Sequence, residues 1–310
     1  MQIQIHSQIA AVPADQWNAL VQDANPFLRH EWLAALEQHG CVGEAFGWLP
    51  RHIAVYQDNV LVAAMPLYEK YNNYGEFVFD HAWERAYAQC GKAYYPKLTS
   101  AIPYSPVSGQ RFLVTAGREA ELFPMLLAST QQVAEALGAS SFHCLFPLAE
   151  QLEWLQRQGL TIRHDCQFHW YNRGYTYFDD FLAALQPKKR KNIKQERRKV
   201  AEAGITLREL NGHTASTTDW EHFAFFYRHT FESKWGIPTL NEGFFRSMAQ
   251  ALGEQVLLIL ADNAAGECIA GALMLRSATR LYGRHWGCTQ YVDSLHFETC
   301  YYRGIEYCIR

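Results

Sequence analysis

The spacing of hydrophobic residues in the first half of the chain predicts helices, then strands, and then a further helix and strand. Asn25-Pro26 is a typical helix start, and Asp58-Asn59 separates two alternating segments, which predicts a hairpin. The predicted helices are residues 14–22, 27–39 and 119–137, and the strand-like or short apolar runs are residues 52–57, 60–69, 77–79 and 140–146. Between residues 80 and 111 turn signals dominate, which favours a binding surface there.

The second half repeats this order of elements. Its predicted strands are residues 167–171, 205–209, 256–261, 268–275 and 281–286, and its predicted helices are residues 178–203, 219–233 and 241–251. A last helix is predicted from Ser294 to Arg310, with an apolar stripe made of Phe297, Tyr301, Ile305 and Cys308. The repeat predicts an α+β fold with two similar domains, residues 1–155 and 156–310, whose boundary lies near residues 147–165.

Composition and missing motifs exclude several classes of protein. The chain is 49% hydrophobic and 19% charged, as expected of a folded protein, and it has no apolar run long enough for a membrane span or a signal peptide. A cytoplasmic location is therefore expected, with the eight scattered cysteines reduced. The P-loop, G-x-G-x-x-G, H-E-x-x-H and G-x-S-x-G motifs are all missing, so no metal and no permanently bound cofactor are expected.

Positive charge is concentrated in residues 188–199, KKRKNIKQERRK, which contain eight of the 28 Lys and Arg and one of the 31 Asp and Glu. The rest of the chain has 20 basic and 30 acidic residues, a net charge of −10. On a helix, Arg190, Lys194 and Arg197 share one face, and Lys191 and Arg198 share another. Either solvent screens these charges or an anion binds them, and arginine is suited to bidentate phosphate contact. DNA would require basic residues elsewhere as well.

Eight segments, taken in order, are similar to those of a known family: NPFLRHEWLAALEQHG, PLYEKYNNYGEFVFDHAWERAY, YYPKL, PYSPVSGQR, QFHWYNRGY, FDDFLAALQPKKRKNIKQERRKV, AGALMLR and LYGRHWGC followed by LHFETCYYRGIEYCI. In these segments the chain resembles the FemAB-like family of peptidoglycan biosynthesis/recognition proteins. The resemblance implies two tandem GNAT-like domains with a ligand in the cleft between them. It also implies a K-x-R-x-N-I-like stretch beside the substrate groove, matched here by Lys188, Arg190, Asn192 and Ile193. A GNAT-like domain has strands after its last helix, so the second domain is expected to lack its last strands.

The function implied by the resemblance is transfer of an acyl or aminoacyl group to an amine, with a peptidoglycan-type precursor as the candidate acceptor. Neither a glycine-rich pyrophosphate loop nor a long helical arm for tRNA is visible, so the donor stays open between acyl-CoA and aminoacyl-tRNA. The expected partner is a small molecule or precursor with phosphate groups, and tRNA is a second candidate. The alternative is a binding protein, without catalysis, for such an anionic precursor.

Acyl transfer requires an oxyanion site and a proton acceptor, and the strand of residues 281–288 offers candidates. Alternation predicts Leu281, Gly283, His285 and Gly287 on one face, and Tyr282, Arg284, Trp286 and Cys288 on the other. His285 is then the candidate base and Arg284 an anion clamp, whereas Glu298 is either a second base or a charge that complements the helix dipole. Four further residues in polar and aromatic clusters either line the substrate groove or pack: His169, Asn172, Lys234 and Trp235.

Overall fold

Two sheets organise residues 1–163, the first of the two units into which the chain divides. The computed structural model describes residues 1–234 and 236–310. The strands are β1 (Gln2–His6), β2 (Trp48–Pro50), β3 (His52–Gln57), β4 (Val60–Met65), β5 (Tyr68–Lys70), β6 (Lys97–Ser100), β7 (Leu113–Val114) and β8 (Phe142–Cys144). The helices are α1 (Ala14–Ala19), α2 (His30–Gln38), α3 (His81–Gln89), α4 (Glu119–Leu137) and α5 (Ala149–Arg157).

One sheet of this unit is antiparallel and the other is mixed. The first has the order β1-β3-β4-β7, and the second has the order β2-β5-β6-β8, in which β6 and β8 are parallel. The hairpin between β3 and β4 is confirmed, because Asp58 and Asn59 have φ values of 51° and 65°. Asp and Asn tolerate this left-handed conformation, which matches the twist of the paired strands. Leu122 and Leu126 of α4 close the core against the first sheet.

The second unit, residues 164–310, is built on one antiparallel sheet in the order β12-β11-β10-β9. Its strands are β9 (Thr206–Leu210), β10 (Val256–Asp262), β11 (Cys268–Arg276) and β12 (Leu281–Cys288). Its helices are α6 (Phe178–Ala183), α7 (Pro187–Glu202), α8 (Thr217–Glu232), α9 (Glu242–Leu252), α10 (Leu295–Phe297) and α11 (Arg303–Ile309), with a π-helical turn (Glu298–Tyr302) between the last two. The α+β prediction, with antiparallel and mixed sheets flanked by helices, is confirmed, while the domain limits 1–155 and 156–310 stay a prediction.

Helices cover both faces of the second sheet. Helix α8 approaches one face so closely that a Cβ added to Gly287 would lie 2.3 Å from the carbonyl oxygen of Phe226. On the opposite face, Val200 of α7 and Leu295 of α10 belong to one buried cluster with Ala270 of β11. The two faces are therefore separate environments, and a side chain on β12 lies either on the α8 side of the sheet or on the side of α7 and α10.

Several predicted elements differ from the structure. Residues 178–203 form two helices because Pro187 begins α7, and Pro disfavours helical geometry in the residue before it. Residues 167–171 and 77–79 are not strands, and the side chain of Phe168 is 99% exposed. The hydrophobic spacing did not predict β1, α3 and α5, because these segments are short or polar.

The last helix is confirmed, but its predicted apolar stripe is not the buried one. Phe297 and Tyr301 are about half exposed, while Glu298, Thr299 and Tyr302 are buried. The π-helical turn at Glu298–Tyr302 has a different residue spacing from an α-helix, so an α-helical wheel misplaces its faces. None of the helices in the described part of the chain has both the length and the apolar character that a membrane span requires.

Candidate functional site

Arg190, predicted to bind phosphate, instead caps the preceding helix. Its guanidinium donates to the carbonyl oxygens of Leu182, Ala183 and Leu185 at 3.0, 2.9 and 3.2 Å. These groups lie at the C-terminal end of α6, where carbonyls lack intrahelical partners and the helix dipole favours a cation. Arg190 therefore joins α6 to α7 in this structure.

Arg197, the second predicted phosphate ligand, also forms contacts within the protein. Its guanidinium donates to both carboxylate oxygens of Glu298 at 3.1 Å and to Glu306 at 3.1 Å, and it lies 4.6 Å from the ring centre of Phe178. Burial lowers the pKa of Arg197, but the two carboxylates raise it more, so the net shift is upward. The charge of Arg197 is therefore already neutralised by its neighbours.

Glu298 lies at the centre of an ion-pair network. The residue is 3% exposed, and its carboxylate accepts hydrogen bonds from Arg197 and, at 3.1 Å, from Arg303. Glu306 contacts the same two arginines. This network joins the middle of α7 to the helix that ends the chain, and it places Glu298 in an anchoring position.

The outer face of α7 forms a basic groove. A shallow depression of about 400 Å³ is lined by Pro187, Arg190, Lys191, Lys194, Gln195 and Arg198. A second depression of about 410 Å³ adjoins it at Lys194 and adds Tyr177, Phe178, Asp179, Leu182, Arg197 and Glu306. Lys188 and Asn192 are exposed on the same helix. We call the first depression the basic groove, and it is the part of the predicted anion site that faces solvent.

The ion pairs around the basic groove are weak enough to exchange. Lys194 lies 3.2 Å from Asp179, and Arg198 lies 3.6 Å from Glu202, with all four side chains more than half exposed. Surface pairs of this kind contribute only ~0–1 kcal/mol. An incoming phosphate can therefore displace these carboxylates at little cost.

The remaining predicted groove residues are spread along exposed segments. The ring of His169 stacks on Tyr171, with 6.2 Å between centres, and the carboxamide oxygen of Asn172 accepts from the backbone N–H of Tyr175 at 2.7 Å. Lys234 is exposed. Burial and then the positive charge of Lys234 lower the pKa of His296. Trp235 lies outside the described residues.

A β-bulge at Arg284 changes the predicted faces of β12. Leu273 of β11 pairs with His285, and the next residue, Met274, pairs with Gly283, so Arg284 is the extra residue. Adjacent β11 residues point to opposite faces, and paired residues share a face, so His285 and Gly283 lie on opposite faces. The alternation predicted across this strand is therefore wrong.

This bulge separates the catalytic candidates. The ring of His285 packs edge-on against Tyr227 of α8 at 5.0 Å, which places it on the α8 side of the sheet. Met274 and Leu281, on the other side, pack near Cys300 in the turn that also contains Glu298. The structure therefore does not bring His285 and Glu298 together.

The two strand glycines also differ in their surroundings. A Cβ at Gly283 would meet no atom of the described residues within 4 Å, whereas Gly287 faces the backbone of α8. Burial and then Arg284 lower the pKa of His285 well below its ordinary value, and burial lowers the pKa of Arg284 to about 10. At neutral pH the imidazole is thus neutral and the guanidinium is charged. Of the two glycines of β12, Gly283 is the one with open space where a side chain would lie.

Sequence reasoning missed a buried charged cluster in the first unit, formed by Lys70, Glu76, Asp80 and Lys97. The ammonium of Lys97 lies 2.8 Å from Glu76 and 2.5 Å from Asp80, and all four residues are at most 3% exposed. Burial, offset in part by Glu76, lowers the pKa of Lys70 to about 7. The signal was present in the sequence, because both lysines end or begin short strands among large apolar residues, in YEK and YYPKL.

The comparisons with known proteins agree with this fold. A family model described as peptidoglycan biosynthesis/recognition matches residues 8–310. The crystal structure of FemX aligns with a TM-score of 0.55 at 14% identity, over 99% of this chain and 86% of that chain. A conserved protein of unknown function from Bacteroides thetaiotaomicron aligns with a TM-score of 0.54 at 10% identity, over 98% of this chain and 86% of that one. No curated protein matches the sequence.

A tandem GNAT protein from the clavulanic acid biosynthesis pathway aligns over 100% of this chain and 86% of that chain, at 10% identity and a TM-score of 0.42. At such identities the likeness to FemX and to the Bacteroides protein concerns the fold alone. The family match, by contrast, spans nearly the whole sequence.

Proposed function

We propose that this chain, which belongs to the FemAB-like family of peptidoglycan biosynthesis/recognition proteins, transfers an acyl or aminoacyl group to an amine of a peptidoglycan-type precursor. The observation that supports the proposal is the basic groove, where Lys191, Lys194 and Arg198 face solvent on one side of α7. A precursor activated through phosphates presents charge that this groove complements. Lys188 and Asn192 add donors along the same helix.

In the proposed reaction, the acceptor amine attacks the carbonyl carbon of the donor. An amide bond forms, the thioester or ester bond to the donor breaks, and the amine loses a proton. The leaving group is the thiol of coenzyme A or a ribose hydroxyl of tRNA, so the two donors that we propose are acyl-CoA and aminoacyl-tRNA. Both are polyanions of the cytoplasm, where we place the reaction.

His285 is the proton acceptor in this proposal, because its neutral ring is not committed to an ion pair, in contrast to Glu298. Arg284 supplies a positive charge beside it on the bulge of β12. Seven residues stay proposed substrate contacts: Lys188, Arg190, Asn192, Arg197, His169, Asn172 and Lys234. For Arg190 and Arg197, such contact requires exchange of the internal partners described above.

A binding protein without catalysis is the second candidate. The separation of His285 from both Glu298 and Gly283 by the sheet favours it, since an assembled transferase site needs acceptor, base and oxyanion donors together. A binding protein needs only the basic groove.

An assay of the full-length protein distinguishes the two candidates. The protein is incubated with a nucleotide-linked peptidoglycan precursor and, separately, with acetyl-CoA or aminoacyl-tRNA, and new amides are sought by mass spectrometry. An amide product supports the transferase. Precursor binding without product for either donor supports the binding protein.

Calorimetry with groove variants tests the anion site itself. We expect Lys191→Ala, Lys194→Ala and Arg198→Ala each to weaken precursor binding ~5- to 10-fold, as for one charge-assisted contact at the surface. Lys199→Ala is the matched control, because Lys199 lies on the same helix but pairs with Asp293 at 2.7 Å and does not line the groove. Equal affinity for all four variants would exclude the basic groove as the precursor site.

A further inference from the structure

In residues 71–83, carboxylate side chains are buried and aromatic side chains are exposed. Glu76 and Asp80 are 2% and 1% exposed, whereas Phe77 and Phe79 are 48% and 70% exposed. The helix that follows, α3, has no buried residue, and its Trp83 is 56% exposed. In an ordinary surface segment the aromatic residues would be inside and the carboxylates outside.

The buried charged cluster explains why the segment takes this orientation. Lys97 contacts both carboxylates, Thr99 donates to Glu76 at 3.2 Å, and the hydroxyl of Tyr94 donates to Asp80 at 2.9 Å. With Glu76 and Asp80 directed inward by these contacts, the residues beside them are directed outward.

The arrangement is costly by itself. Phe77 has a φ of 58°, a left-handed conformation that bulky residues rarely adopt. The burial of four ionisable side chains carries a desolvation cost, and the aromatic rings lose the favourable burial that they would gain in a core. The fold thus keeps four aromatic side chains of this segment exposed, Tyr74, Phe77, Phe79 and Trp83, and we call them the aromatic surface. Such patches mark contact sites.

The charges around this aromatic surface indicate what binds there. Arg163 is half exposed, pairs with Asp80 at 3.0 Å and donates to the carbonyl oxygen of Phe79 at 2.8 Å, so its guanidinium lies beside this surface. Arg85 and Lys92 are exposed on α3 and just beyond it, while the carboxylate residue of that helix, Glu84, is only partly exposed. Aromatic rings with cations at their margin match the interface of a bilayer, where rings lie among the headgroups and cations attract anionic lipids.

We propose that the aromatic surface docks peripherally on a lipid bilayer that contains anionic headgroups. Phe77, Phe79 and Trp83 enter the headgroup region, and Arg85 and Lys92 contact lipid phosphates. The buried cluster sets the orientation of the segment and does not touch lipid. This proposal does not depend on the transfer reaction or on the basic groove.

Vesicle flotation with the full-length protein tests the proposal. The vesicles are phosphatidylcholine alone or phosphatidylcholine with phosphatidylglycerol, at low and high salt. The test variant is Phe79→Ser with Trp83→Ser, which leaves the strained Phe77 in place. The matched control is Phe225→Ser with Tyr291→Ser, two exposed aromatic residues of the second unit. Circular dichroism and thermal melting check that both variants fold.

We expect the natural protein to bind the anionic vesicles. The affinity of the test variant should be ~100-fold lower, because each of the two aromatic side chains that it loses contributes ~10-fold. The affinity of the control should be unchanged. High salt should weaken binding, because each surface cation contributes ~5-fold in affinity. The proposal is overturned if no vesicles bind, if both variants lose binding equally, or if neutral and anionic vesicles bind alike. A concentration-dependent dimer that the test variant abolishes would also overturn it, since the surface would then contact a second copy of the chain.

Discussion

The guanidinium of Arg197 and the carboxylate of Glu298 form a bidentate ion pair, with Nε–Oε2 and Nη2–Oε1 distances of 3.1 Å. The sequence predicts a role in substrate chemistry for each of them separately, and the structure places them against each other. Because Glu298 is 3% exposed and Arg197 is only partly exposed, the pair is largely shielded from solvent. It fixes α7, and with it the basic groove, to the last helix.

Glu298→Gln should therefore lower stability more than a change at a helix end would. Removal of the Glu298 charge leaves Arg197 and Arg303 with only the more exposed Glu306 as a carboxylate partner. Removal of one partner of a fully buried pair costs ~3–5 kcal/mol. Since Arg197 is partly exposed, we expect a loss of ~2–3 kcal/mol in the free energy of unfolding, measured by urea denaturation. The control is Glu306→Gln, a more exposed member of the same network, with a smaller loss. A loss below ~1 kcal/mol, the range of a dipole-complementing charge, would contradict this role.

Arg190→Ala should destabilise the junction between α6 and α7. The variant loses three hydrogen bonds to carbonyl oxygens at the C-terminal end of α6, so we expect a loss of ~1–2 kcal/mol in unfolding free energy. Lys191→Ala, one residue further along the helix and exposed, is the matched control and should change stability by less than ~0.5 kcal/mol. Equal stability of the two variants would show that the cap contributes nothing.

The sequence predicted local features of the fold because their causes are local. Asp58-Asn59 specifies a left-handed turn by its own conformational preferences, and the basic segment is helical because Pro187 and good helix formers begin it. The inward direction of Arg197 could not be predicted, because its partners lie 101 and 109 residues away. The bulge at Arg284 was also hidden, since one unpaired residue reverses every face that alternation assigns beyond it.

Lys70 should make stability depend on pH in the alkaline range. Burial, offset in part by Glu76, lowers its folded-state pKa to about 7 from an ordinary value of 10.5. Between these values the unfolded chain binds a proton that the folded protein does not, so the Lys70 contribution to stability rises with pH and is lowest below about 7. The slope is at most ~1.4 kcal/mol per pH unit.

Comparison with Lys70→Met isolates this contribution, because other titrating groups cancel in the difference. The variant also loses the hydrogen bond from the Lys70 side-chain nitrogen to the carbonyl oxygen of Tyr74, which the nitrogen can donate in either protonation state. We expect the stability of the natural protein relative to Lys70→Met to increase from pH 7 to pH 10 in urea denaturation. A difference that stays constant over this range would mean that Lys70 is charged in the folded protein at pH 10.

His285 gives the pH dependence of the proposed transfer reaction. Burial and then Arg284 lower its pKa well below the ordinary 6.5, so the imidazole is already neutral at pH 6 and can accept a proton at every higher pH. A general base with this pKa gives a rate that is flat between pH 6 and pH 8, because the rise of the rate is complete at lower pH. We expect this flat profile for the natural protein once an acyl donor has been identified by mass spectrometry.

His285→Gln should lower turnover ~100- to 10,000-fold with precursor binding retained, as measured by calorimetry. Full turnover in His285→Gln, or a rate that rises with a midpoint near 6.5 in both proteins, would assign proton transfer to another group and leave His285 as a packing partner of Tyr227.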